Sequence, residues 1–315
     1  MEALETKLGD GRYRVLSLDG GGAKGFYTLG VLHHVEAMVR RPLHECFDLI
    51  FGTSTGAIIA ALLALGKNVE EIHQLYREHV PTIMKRKLPW SKSKALAELS
   101  QEVFGDAKFD AVKTDVGIVA IKWRIERPMI FKSSLRQAHG RKDTFVPGFG
   151  VTIGDAVQAS ASAFPFFCRK VVETAGSGRI ELVDGGYGAN NPALYAIADA
   201  TVAIKAPPQD VRVLSIGVGE YPTPKKSIIR PAWWLNRLPT VRLLQKVMEI
   251  NTQSMDQLRT ILFRQILTVR VSEAFTSPEM ATDMFEHDLG KLDLLRQRGT
   301  ESFGKQEDAL RTLLL

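Results

Sequence analysis

The chain has 315 residues, 41 of them Lys or Arg and 35 Asp or Glu, for a net charge of +6, and 45% are hydrophobic. That balance excludes a disordered chain, a collagen-like repeat and a disulfide scaffold. The charge is too small and too dispersed to signal a nucleic-acid binder, so no DNA or RNA duplex is expected as a partner. Two cysteines, Cys46 and Cys168, sit in apolar surroundings, which suits a reducing compartment and offers no metal framework; no metal is expected. The opening MEALETKLGDGRYR alternates charges where a signal peptide needs an apolar stretch, and the longest apolar run, Ala57 to Leu65, falls well short of the ~20 residues of a spanning helix. The expected location is cytoplasmic, with peripheral contact to the inner face of the membrane, whose anionic lipid attracts a modestly basic protein.

In chain order, 13–18 (YRVLSL) predicts a buried strand, followed by a glycine-rich turn and a helix from Gly25 to Val39. Residues 46–51 (CFDLIF) predict a second buried strand, then a tight turn and an Ala/Leu-rich helix, Thr55 to Leu65, with an amphipathic helix over Val69 to Met84. The basic stretch 84–94 (MKRKLPWSKSK) reads as a loop. Further strands are expected at 115–121, 180–183, 211–216 and 265–272, with helices at 153–163 and 192–205, a Pro-rich loop at 218–240 and a mainly helical remainder. Apolar strands alternating with helices imply an α/β fold with a mostly parallel sheet covered on both faces. No linker divides the chain, so 1–315 is expected to form one compact unit, with its catalytic core at 13–205 and the remaining strands, basic loop and helices at 206–315.

The first constellation is LSLDGGGAKGFYTLG, 16–30. A strand ends at Asp19, Gly20, Gly21 and Gly22 follow, and the next helix begins near Gly25. Consecutive glycines leave amide groups unshielded at the positive end of a helix, which suits a standing phosphate or a transient oxyanion. Gly20, Gly22 and Gly25 also fit the dinucleotide pattern G-x-G-x-x-G, the basis of an alternative reading as a nucleotide-binding oxidoreductase. That motif wants an acid at the end of the next strand, where this chain has Phe51–Gly52.

The second is FGTSTGAIIAALLAL, 51–65. Gly52-Thr53-Ser54-Thr55-Gly56 fits G-x-S-x-G between a strand and a helix. A nucleophilic serine must project from a sharp turn, and backbone crowds the positions two before and two after it, which glycine alone accommodates. The bland alternative is a serine N-cap on a buried helix, and a catalytically silent binding module stays open on that reading.

A serine hydroxyl needs a base. Of seven histidines, His33, His34, His73 and His79 lie in predicted helices, and the one late histidine, His287, sits in a charged segment without a strand-end turn. A carboxylate fits better. Asp184 closes the strand in IELVDGGYGANN and is followed by Gly185 and Gly186. It can act as a base if burial raises its proton affinity and it touches Ser54.

Together, DGGGAKG (19–25), GTSTG (52–56), ASASAFPFF (159–167) and DGGYGANNP (184–192), in that order, resemble the patatin-like phospholipase family. The resemblance spans about residues 13–205 and implies a three-layer α/β/α fold, a modified α/β-hydrolase with a Ser–Asp dyad and no histidine. It implies that Ser54 is the nucleophile, Asp184 the proton acceptor, and Gly20, Gly21 and Gly22 the oxyanion-hole loop. Lys24 takes the family's basic position, and Asn190 and Asn191 brace the turn after Asp184. The implied activity is hydrolysis of phospholipid ester bonds, of A1 or A2 type, through an acyl-enzyme and without a catalytic cofactor. Compact bacterial members include anti-phage effectors that are switched on by cyclic di- or trinucleotides and act as oligomers. By that resemblance a cyclic oligonucleotide activator and a homo-oligomer are among the implied partners.

Two acid-free segments pair tryptophan with cations: Lys85, Arg86 and Lys87 around Trp90, and Lys225, Lys226 and Arg230 around Trp233 and Trp234. Such a mixture suits a bilayer interface; the same cations would also serve a pocket for a charged nucleotide, and the bland reading is a solvated loop.

Overall fold

A computed structural model of the chain describes residues 5–176, 178–222 and 239–315. One sheet of eight strands organises it: β1 (Tyr13–Leu18), β2 (Leu49–Thr53), β3 (Asp115–Lys122), β4 (Arg127–Lys132), β5 (Lys170–Thr174), β6 (Gly178–Asp184), β7 (Val211–Ile216) and β8 (Leu267–Val271). Strands β8, β7, β1, β2 and β3 are successive parallel neighbours, and β4, β5 and β6 join through antiparallel pairings. The helices are α1 (Gly25–Val39), α2 (Leu43–Cys46), α3 (Thr55–Ala64), α4 (Val69–Lys85), α5 (Pro89–Phe104), α6 (Ile153–Ser160), α7 (Gly186–Ala189), α8 (Ala193–Ala198), α9 (Pro239–Leu262) and α10 (Leu289–Leu314). Among the described residues no helix is long and apolar enough to cross a membrane.

Strand β1 is buried along its whole length and divides its side chains by parity. Leu16 and Leu18 join the core formed with α1, α3 and α10, whereas Tyr13 and Val15 join the core under α8. That gives the three-layer α/β/α arrangement, with apolar strands sandwiched on both faces. Helices α1 and α10 cross closely enough that a Cβ on Gly30 would lie 2.0 Å from the Arg296 carbonyl oxygen, and one on Gly299 2.1 Å from that of Tyr27.

The register around β3 places the site. β4 pairs with Gly117–Lys122, β2 with Asp115–Val119 and β6 with Ala120–Lys122. A strand has two edges. β4 overlaps both of the others, so β2 and β6 share the opposite edge. Their C-terminal ends therefore meet head to head, Thr53 opposite Val119 and Asp184 opposite Ala120.

Several expectations are corrected. The second strand begins at Leu49, because 43–46 turn into α2 and Asp48 is drawn off to accept the amides of Lys7 and Arg14. The basic stretch 84–94 is largely helical: α4 runs to Lys85, and Pro89, at the position where proline starts helices, opens α5. The helix expected over 153–163 stops at Ser160, and 192–205 is α8 followed by a π turn at Asp199–Ala203. Strands β4 and β5 carry no clear strand signal in the sequence, their apolar residues being few and flanked by charge.

Candidate active site

Ser54 follows β2 and precedes α3, with φ 53° and ψ −119°, a strained conformation for a residue with a side chain. The flanking glycines permit it. A Cβ on Gly52 would lie 2.2 Å from the Gly56 carbonyl oxygen, and one on Gly56 2.2 Å from that of Leu18. Ser160 pins the turn, since its hydroxyl accepts the Ser54 amide at 2.9 Å and donates to the Val119 carbonyl at 2.5 Å.

The Ser54 hydroxyl donates to Asp184 Oδ2 at 2.7 Å, and Asp184 Oδ1 accepts the Gly186 amide at 2.7 Å. Asp184 is fully buried, and burial pushes its carboxyl up to about 6 against the opposing pull of those two hydrogen bonds. Among the described residues no histidine bonds to either side chain. His79 lines a cavity nearby, and His287 Nδ1 lies 3.2 Å from the Phe285 carbonyl.

The glycine loop lies against the serine. A Cβ on Gly20 would stand 3.2 Å from Ser54 Cβ and 2.4 Å from Asn190 Oδ1. Gly20 departs from the expected donor set, because its amide is already spent on the Asn190 carbonyl at 3.0 Å. The amides of Gly21 and Gly22, and that of Thr55 at the first turn of α3, donate to no protein acceptor among the described residues. A Cβ on Gly25 would crowd the Thr55 hydroxyl at 2.5 Å, and one on Gly185 the Val119 carbonyl at 2.2 Å. Gly186 packs against Met248, whose Cε a Cβ there would meet at 2.4 Å. Asn190 also donates to Thr252 Oγ1 at 2.8 Å, tying the turn after Asp184 to α9, while Asn191 accepts the Ala193 amide at 3.0 Å.

Three supports come from C-terminal residues to which the sequence gives no role in the site. Arg270 of β8 grips Asp19 through both guanidinium nitrogens, at 2.9 and 2.5 Å, and also reaches Ser215 Oγ at 2.8 Å. Burial pushes the Asp19 carboxyl up and Arg270 pulls it back. The Met284 carbonyl accepts the Ala23 amide at 3.0 Å, and Val218 fills the space beside Gly21.

Two cavities open on Ser54. One, about 60 Å³, is walled by apolar side chains of α3, α4 and α5, among them Leu62, Val80, Ile83 and Leu96, with Phe167 and Met284 closing it. The other, about 420 Å³, holds the glycine loop, Lys24, Arg270 and several acids. At the junction of α4 and α5, Lys85, Lys87, Leu88 and Trp90 are exposed, Trp90 by 61%, and Arg86 is half-buried against Ser91. Lys225, Lys226, Arg230, Trp233 and Trp234 lie outside the described residues. Among the described residues no cluster of His, Cys, Asp and Glu could hold a metal ion.

A family model described as patatin-like phospholipase matches residues 16–197. The chain belongs to the patatin-like phospholipase family. It is 58% identical over 316 residues to a cUMP-AMP-activated phospholipase of Escherichia coli, covering 99% of this chain and 98% of that one. It is 32% identical to a cGAMP-activated phospholipase of Pseudomonas aeruginosa, over 65% of this chain and 62% of the relative, and 25% identical to patatin-like protein 2 of Arabidopsis thaliana, over 92% and 83%.

Proposed function

We propose that this chain is a serine phospholipase whose nucleophile is Ser54 and whose base is Asp184. The 2.7 Å hydrogen bond between the two side chains carries that reading. As Ser54 Oγ attacks an ester carbonyl, its proton passes to Asp184 Oδ2. The free amides of Gly21 and Gly22, joined by that of Thr55, receive the oxyanion; each such donor is worth about 3 kcal/mol of barrier. Asp184 returns the proton to the departing lysolipid oxygen, and water then repeats the sequence to release the fatty acid. Either the sn-1 or the sn-2 ester fits this chemistry.

The apolar cavity supports a fatty acyl group as the acid portion, because Ser54 stands at its end and hydrocarbon gains by leaving water. At about 60 Å³ it has room for only a few waters, so α4 and α5 must part to admit a long chain. Such a closed state accords with control by a ligand. On the strength of the 58% relative, the activator is cUMP-AMP or a close cyclic dinucleotide; the resemblance to compact anti-phage effectors supports the further reading that the activated enzyme attacks the membrane of its own cell. The exposed tip between α4 and α5, with Lys85, Arg86, Lys87 and Trp90, is the surface that meets anionic lipid.

The test is fatty-acid release from phospholipid vesicles with and without cUMP-AMP, for the wild type and Ser54→Ala. Release that rises with the nucleotide and vanishes in the folded variant is expected. Equal release by the variant would remove the serine mechanism, and indifference to cyclic dinucleotides would remove the activation.

A further inference from the structure

The larger cavity on Ser54 has a charge distribution that the hydrolytic chemistry leaves unused. Its lining includes two cations, Lys24 and Arg270, and four carboxylates, Asp19, Glu220, Glu249 and Asp283. Asp19 and Arg270 neutralise one another in a two-pronged pair. What remains facing the nucleophile is one ammonium and three acids.

The Lys24 ammonium makes no hydrogen bond and no ion pair within 4 Å among the described residues, its amide alone donating to the Gly21 carbonyl at 3.2 Å. Its charge still feels Glu249 from α9, Asp283 from the segment before α10, and Glu220 from the segment after β7, while burial depresses its proton affinity. A half-buried lysine near three carboxylates yet bonded to none is a cation left open for an incoming anion. The acids are likewise free toward the cavity in part. The Glu249 carboxylate is exposed and bonds to nothing among the described residues, Glu220 accepts from Gln253 through one oxygen, and Asp283 accepts the Phe285 amide through one oxygen at 2.8 Å.

With the acyl chain in the apolar cavity, the glycerol and headgroup of the same lipid must lie on the opposite side of Ser54, in this second cavity. We infer that it is a headgroup subsite selecting zwitterionic aminophospholipids: Lys24 meets the phosphate, and Glu249, Asp283 and Glu220 surround the ammonium. A headgroup with no cation leaves the three acids unmatched and repels them through its own charge. The basic tip at the α4–α5 junction would bring the enzyme to an anionic surface, and the acidic vestibule would then choose its zwitterionic component. This inference rests on Ser54 being the nucleophile.

The test separates docking from selection by placing both candidates in one vesicle. Equimolar phosphatidylethanolamine and phosphatidylglycerol with matched acyl chains are offered to the full-length enzyme with cUMP-AMP, and the two lysolipids are quantified by mass spectrometry. The ratio of early rates equals the ratio of kcat/KM, whatever fraction of the enzyme is bound or activated. About tenfold preference for phosphatidylethanolamine is expected, ~1.4 kcal/mol of discrimination. The double variant Glu249→Gln with Asp283→Asn should bring the ratio close to unity. Equal consumption by the wild type, or an unchanged ratio in the double variant, would overturn the subsite. If turnover is too low to compare, Ser54→Ala is titrated with short-chain soluble forms of the two lipids by calorimetry, where equal affinities overturn it as well. Release that persists in Ser54→Ala would instead remove the serine mechanism beneath it.

Discussion

Replacing Asp184 by Asn should stabilise the fold while abolishing hydrolysis, and the size of the gain should depend on pH in a set direction. The carboxyl is fully buried and sits at about 6 in the fold against an ordinary value of 3.8. That displacement of about two units corresponds to roughly 3 kcal/mol held against the folded state whenever the group is ionised. The sign follows from the proton. The fold favours the neutral acid, so above about pH 6 the full penalty applies. As pH falls from 6 towards 3.8 the native state takes up its proton first and the penalty fades. Asn keeps the geometry: its Oδ1 can accept the Gly186 amide, and its Nδ2 can face Ser54. Urea unfolding of both proteins at steps from pH 8 to pH 4.5 would measure the effect. The variant should be more stable at pH 8 by up to roughly 3 kcal/mol, and the gap should close towards the acid end. A difference that stays constant with pH, or a variant less stable at pH 8, would refute the reasoning. Loss of a general base costs about 10²–10⁴ in rate, and in the wild type the same titration should cut activity by one proton as pH drops through about 6.

Arg270→Gln strands the Asp19 carboxylate without its partner and should cost roughly 3–5 kcal/mol in urea unfolding, together with a fall in kcat as the root of the glycine loop loosens. Ile83→Trp fills the apolar cavity and should lower kcat/KM for long-chain esters about tenfold or more while sparing an acetyl ester; a parallel loss on both would show that the cavity does not hold the acyl chain. Lys87→Gln with Trp90→Ala removes one cation and one exposed ring from the α4–α5 tip and should weaken sedimentation with phosphatidylglycerol vesicles by about tenfold, since each interfacial Lys contributes ~1 kcal/mol.

How much of this could be read from the residues follows from how local each requirement is. Gly52, Gly56 and Gly185 are written into short motifs because backbone passes within 2.2 Å of where their side chains would start. Ser54 and Asp184 were legible for the same reason, each closing an apolar strand and opening a glycine turn. Their contact was not local. It depends on β2 and β6 ending at consecutive residues of β3, and nothing in either motif encodes that pairing. The stretch 84–94 misled because lysines and a proline read as a loop out of context, whereas Pro89 is well placed at a helix start and Lys92 is buried over the Phe285 ring at 4.2 Å. A glycine-rich turn advertises donors without saying which of them the fold uses internally, and the Gly20 amide is one that it does.

The support beneath the glycine loop is spread over three strands. Ser17 pairs with Ser215, and Ser215 with Arg270, so three adjacent strands carry a polar residue at one register in an otherwise apolar layer. Asp19 continues that row two residues beyond Ser17, on the same face by strand parity, and receives Arg270. Each member looks like noise in its own strand: a serine in YRVLSL, a serine in VRVLSI, an arginine in LTVRV. Only the strand order β1–β7–β8 turns the three into one feature. The C-terminal third therefore carries a charge that the N-terminal motif cannot do without, because an aspartate buried at the head of a glycine loop needs a cation, and none of the residues matched by the family model supplies it. A truncation ending before β8 would leave the motifs around Asp19, Ser54 and Asp184 intact in sequence and should nevertheless lose the glycine loop, and with it the proposed activity.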